Sequence, residues 1–98
     1  MNHYLDHYLN YLAVERGLAN NTLDAYGRDL ARYLDYLESQ KIVALENISA
    51  AIVLRFLSHL KNAGLSPRSR ARALAALRTF HKFLVREKIT KDNPTDQV

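Results

Sequence analysis

Residues 66–86 read Ser66-Pro67-Arg68-Ser69-Arg70-Ala71-Arg72-Ala73-Leu74-Ala75-Ala76-Leu77-Arg78-Thr79-Phe80-His81-Lys82-Phe83-Leu84-Val85-Arg86, and this stretch decides the fold. Ser66 is placed to cap a helix, and Pro67 occupies the first helical position, where its missing N–H costs nothing. At 100° per residue, Ala73, Leu74, Leu77, Phe80 and Leu84 fall on one face. Arg68, Arg72, Ala75, Thr79, Lys82 and Arg86 fall on the opposite one. The apolar face needs a partner layer. The basic face is predicted to lie open.

Working outward, Gly64-Leu65 immediately precedes the cap and ends another helix, predicted over 50–63. Ser49 caps it, and Ile52, Val53, Phe56, Leu57 and Leu60 point inward. Residues 40–48 are a connector. Before it, Leu23, Tyr26, Leu30, Tyr33, Leu34 and Leu37 form the apolar face of a helix over 21–39, with Asn20 or Asn21 as its expected cap. Gly27 lies inside that helix at a cost of about 1 kcal/mol against alanine. The first helix is predicted over 2–16 from Tyr4, Leu5, Tyr8, Leu9, Tyr11 and Leu12, and Gly17-Leu18 ends it. Asn93-Pro94 ends regular structure at the other end of the chain.

A shift of 47 residues superimposes Gly17-Leu18 on Gly64-Leu65, Thr22 on Ser69, Leu30 on Leu77, Tyr33 on Phe80, Tyr36 on Phe83 and Leu37 on Leu84. Two helical hairpins follow from this pairing. The predicted fold class is therefore all-α, a four-helix orthogonal bundle built of two hairpins.

The chain has 98 residues, which suits one domain, and 48% hydrophobic content, which suits a folded one. It has no cysteine, so disulfide frameworks and thiolate metal sites are excluded, and a reducing cytoplasm is the expected setting. No apolar run is long enough to span a bilayer. The net charge of +4 is unevenly shared. Residues 1–49 carry four Lys/Arg and seven Asp/Glu, whereas residues 50–98 carry ten and three, which gives −3 against +7. From Ser66 to Lys91 there are eight basic residues and one acid, Glu87. A solvated helix face ordinarily mixes both signs, so this excess points to an anionic partner. Small residues between the cations let the helix backbone approach a groove, with Arg68 and Arg72 toward base edges and the others toward phosphates.

Helix 21–39 offers a second polar face of Asn21, Ala25, Arg28 and Arg32, flanked by Asp24 and Asp35. By composition it is an ordinary surface. His3 and His7 have the i, i+4 spacing of helical metal ligands, but no third ligand accompanies them, and no metal or cofactor is expected. His59 and His81 lie on or near apolar faces. The six tyrosines, all within the first 36 residues, are explained by aromatic burial, with those on the first helix open to a protein partner. No nucleophile stands beside a base, and there is no glycine-rich phosphate loop.

Two stretches carry a family resemblance. Asn21-Thr22-Leu23-Asp24-Ala25-Tyr26-Gly27-Arg28-Asp29-Leu30 resembles the second-helix signature of the tyrosine recombinases, or phage-type integrases. Ser66 through Leu84, continuing through Arg86-Glu87-Lys88 to Asn93-Pro94, resembles the fourth helix and exit of the same domain, most of all in the Xer-type recombinases of bacteria. The resemblance covers essentially the whole chain. It implies a SAM-like core-binding domain over 1–92, with 93–98 beginning a linker to a separate catalytic domain. It also implies double-stranded DNA as ligand, the second and fourth helices crossing in its major groove, and other recombinase protomers as partners in a tetramer. Carried over residue by residue, Asn21, Thr22, Ala25, Arg28, Arg68, Ser69, Arg72 and Thr79 are the expected DNA-facing positions. The family cleaves DNA with a tyrosine of the other domain, and its His-x-x-Arg segment does not occur in these 98 residues. This chain is thus expected to bind DNA without cleaving it, as a monomer when isolated and with no membrane association. The alternative is a helical protein-interaction module. Gly27 departs from the family pattern, which often has a basic residue there.

Overall fold

The computed structural model describes residues 2–98. Four helices, α1 (Asn2–Val14), α2 (Asn20–Ser39), α3 (Ala50–Asn62) and α4 (Pro67–Arg86), form an all-α bundle, with a short 3₁₀ turn at Leu45–Asn47. Helix α1 packs on α2, α3 packs on α4, and α2 crosses α4 to join the two hairpins. The body measures 34 × 29 × 23 Å.

The four helices form where their apolar spacing places them. Ser49 accepts a hydrogen bond from the Ile52 N–H at 3.3 Å, and Ser66 accepts from the Ser69 N–H at 3.2 Å. The expected cap of α2 needs correction. Asn20 and Asn21 are already helical, and the capping position is Ala19, which has no side-chain oxygen to offer. The helix begins one residue earlier than its polar residues suggest, because Ala19 holds the place that Ser66 holds 47 residues later. Ala19→Ser should therefore stabilise the domain by about 1 kcal/mol. That would raise the thermal midpoint by roughly 4–8 °C for a domain of this size. Calorimetry that finds no increase would show that the α2 N-terminus is satisfied by other means.

Among the described residues four have positive φ: Gly17 (60°), Lys41 (61°), Gly64 (89°) and Lys88 (59°). Each ends a helix and each precedes an apolar residue, Leu18, Ile42, Leu65 or Ile89. The Ile42, Leu65 and Ile89 N–H groups donate back to Leu37, Leu60 and Leu84 carbonyls at 2.9, 3.1 and 2.9 Å. These are Schellman closures, which satisfy carbonyls that the helix leaves free. Lys41 and Lys88 are also 47 residues apart, as are the starts and the ends of α2 and α4. The repeat is thus carried by backbone punctuation as well as by side chains. Gly27 differs, since a Cβ there would sit 3.5 Å from Leu9 Cδ1, an ordinary contact. Nothing in the packing requires glycine at that position.

The core is aromatic at its centre. Tyr8 meets Phe80 edge-on at 5.3 Å between ring centroids, and Tyr33 meets Phe56 at 5.0 Å. Leu12, Leu30, Leu34, Leu37, Val53, Leu60, Leu77 and Leu84 complete it. Ala76, His81 and Phe83 are buried too, which widens the buried side of α4 beyond the five residues predicted for it. Leu74, one of those five, is only half-buried. Residues 93–98 fold back on the bundle. Asn93 Oδ1 accepts from the Thr95 N–H and hydroxyl at 2.9 and 2.6 Å, Thr95 is buried, and Arg78 donates to the Val98 carbonyl.

Candidate nucleic-acid interface

The surface of α4 opposite its buried stripe is built from sequence upward. Cations at 68, 72, 82 and 86 recur at helical spacing, and alanines at 71 and 75 lie exposed between them. Arg68 and Lys82 are exposed and make no hydrogen bond or ion pair with other described residues. Arg86 is exposed and donates to the Tyr11 hydroxyl at 2.6 Å, with its guanidinium 5.1 Å from the centre of the Tyr11 ring. A neutral phenol leaves the arginine charge uncompensated, so this contact aims the side chain without cancelling it.

Arg72 requires a correction to the picture of an unpaired basic face. Its Nε donates to Asp29 Oδ2 at 2.8 Å and its Nη2 to Asp29 Oδ1 at 3.0 Å. The Asp29 side chain is 1% exposed and that of Arg72 is 42% exposed. These hydrogen bonds raise the Arg72 pKa further, so the guanidinium remains charged. The acid was invisible to a reading of α4 alone, because it comes from α2, 43 residues away.

The remaining expected residues divide between surface and packing. Asn21 and Arg28 are exposed on α2, while Thr22 and Ala25 are half-buried. Ser69 is half-buried and tied to Ser66, whose hydroxyl lies 3.1 Å from its own. Thr79 is half-buried and its hydroxyl donates to the Ala75 carbonyl at 2.9 Å. Burial raises the Tyr8 phenol above its ordinary pKa, and Thr79 offsets part of that shift. Tyr8 Oη nonetheless lacks a hydrogen-bond partner of normal geometry. Thr79 therefore serves the interior at least as much as the surface. The Asp29–Arg72 pair joins α2 to α4 where they pack.

The first-helix tyrosines are less open than a partner surface needs. Tyr4 and Tyr11 are half-buried, and the Tyr11 ring lies 5.1 Å from Phe83. His7 lies 3.6 Å from Glu87. His59 is exposed against the Tyr36 ring at 4.9 Å. His81 is buried, with Nε2 2.8 Å from the Tyr33 hydroxyl. No group of three potential metal ligands occurs among the described residues. None of the described helices is long and apolar enough to cross a membrane.

Fold and surface together define a small helical domain of two hairpins with one cationic helix face. Comparison with known families makes the assignment specific: residues 5–88 match the phage integrase N-terminal SAM-like domain, and the chain belongs to that family. Among curated proteins it is 44% identical over 95 residues to the tyrosine recombinase XerD of Staphylococcus epidermidis, covering 97% of this chain and 32% of that protein. It is 44% identical over 99 residues to the XerD of Halalkalibacterium halodurans, covering 100% and 33%. It is 37% identical over 91 residues to a Staphylococcus aureus XerD, covering 93% and 31%. The chain spans about a third of the length of these relatives.

Proposed function

We propose that this chain is the DNA-binding domain of a XerD-type tyrosine recombinase, gripping duplex DNA in the major groove as one half of a clamp. The observation that carries the reading is the open cationic face of α4, where Arg68 and Lys82 form no ion pair with other described residues, Arg86 donates only to the Tyr11 hydroxyl, and exposed alanines lie among them. The family match and the XerD relatives support DNA as the partner of that face. Strand cleavage and strand exchange belong, in this reading, to a catalytic domain outside these 98 residues, in a cytoplasmic tetramer on DNA. The interaction-module alternative has no exposed tyrosine surface to support it.

Binding should be measured across a salt series, using the wild type and an Arg68→Ala, Lys82→Ala double variant. Neither side chain holds a partner among the described residues, so the variant should stay folded. Each phosphate neutralised contributes about −0.9 to the slope of log affinity against log salt. The double variant is expected to lose close to two such increments and roughly tenfold in low-salt affinity. An unaltered slope and affinity would remove α4 from the interface.

A further inference from the structure

The Asp29–Arg72 pair has a geometry that an ion pair serving stability alone does not need. The carboxylate grips the guanidinium from the side, through Nε and Nη2. Nη1, with two N–H groups, makes no hydrogen bond to other described residues, and one N–H of Nη2 remains as well. These point away from the carboxylate as a planar end-on fork, on a side chain 42% exposed. Asp29 is itself fixed, being buried on the rigid α2. Ala71 and Ala75, exposed on the same helix, are small.

We infer that Asp29 is a positioning residue that presents Arg72 as a preset reader of guanine. An end-on arginine fork matches the O6 and N7 acceptors of guanine in the major groove. Two features favour a base edge over a phosphate. A phosphate seeks net charge, which Asp29 cancels within 3 Å of the guanidinium. A base edge is neutral and needs only two well-aimed donors, which the side-on grip leaves free. A bound carboxylate also removes the rotational freedom that a free arginine would lose on contact. Arg68 and Lys82, which make no ion pair with other described residues, are the residues suited to phosphates.

This inference rests on the DNA-binding reading above, and its test separates the two. The 98-residue chain is used to select from duplexes carrying randomised base pairs. Each guanine of the selected duplex is then replaced singly by 7-deazaguanine, which lacks the N7 acceptor. The wild type should bind the parent duplex about tenfold more tightly at one guanine at least. That preference should fall below twofold in both Asp29→Ala and Arg72→Lys. The lysine variant keeps a cation against Asp29 and so guards against loss of folding, which circular dichroism checks for both. If no guanine is selected, if 7-deazaguanine is tolerated everywhere, or if Asp29→Ala keeps the preference, the inference is overturned. If the chain binds no duplex at all, the DNA-binding reading falls and the inference falls with it.

Discussion

Acidification from pH 7 to pH 4 should remove about 3 kcal/mol of stability through His81 alone. His81 is 1% exposed, and burial lowers its pKa from 6.5 to about 4. The unfolded chain therefore takes up a proton at a pH where the folded chain refuses it. The contribution is fully present above pH 6.5 and is lost as the pH falls toward 4. Nδ1 has no partner among the described residues, where Nε2 meets the Tyr33 hydroxyl. Burial likewise raises the Tyr33 phenol above its ordinary value, so this neighbour stays neutral as well. No carboxylate among the described residues pairs with the ring, so a protonated His81 would be a buried cation without a counter-ion. Urea unfolding from pH 7.5 to 4 measures the effect against His81→Leu, chosen because Leu34 occupies the equivalent place in the first hairpin. The leucine variant should lose most of this pH dependence. If both proteins weaken equally on acidification, His81 is not the group responsible.

Arg72→Ala should destabilise the domain by about 2–3 kcal/mol, far more than an ordinary surface substitution. The damage lies in what is left behind. Asp29 is 1% exposed and would be a buried carboxyl without its partner. A fully buried pair broken on one side costs roughly 3–5 kcal/mol. The present cost is lower because the arginine side is 42% exposed and water can reach the gap. Asp29→Asn should cost about 1 kcal/mol, since it removes the charge that needs compensation and keeps one acceptor. Urea unfolding at pH 7 orders the three proteins. A cost for Arg72→Ala no greater than that for Arg68→Ala, about 0.5 kcal/mol or less, would show that water satisfies Asp29.

Most of the fold is legible in the sequence because two kinds of signal agree. Apolar spacing places the four helices, and Ser49, Ser66, Gly17 and Gly64 mark their ends. The misses have physical causes. Lys41 and Lys88 take the left-handed turn that glycine ordinarily supplies, so those two helix ends carry no glycine signal. Ala19 caps nothing, so polar Asn20 and Asn21 pull the expected start of α2 inward. The open face of α4 was legible from its own wheel. The neutralising acid was not, because Asp29 joins Arg72 only once α2 crosses α4. The shift of 47 residues does not help there, since Ala76 is the counterpart of Asp29.

The two hairpins share their helix endings and differ in electrical sign, −3 over residues 1–49 against +7 over residues 50–98. A body only 34 Å long therefore carries a permanent electrical axis running from one hairpin to the other. Near a polyanion that axis produces a torque as well as an attraction. Such an axis would turn the α4 side toward the polyanion while the domain is still about a Debye length away, before any side chain makes contact.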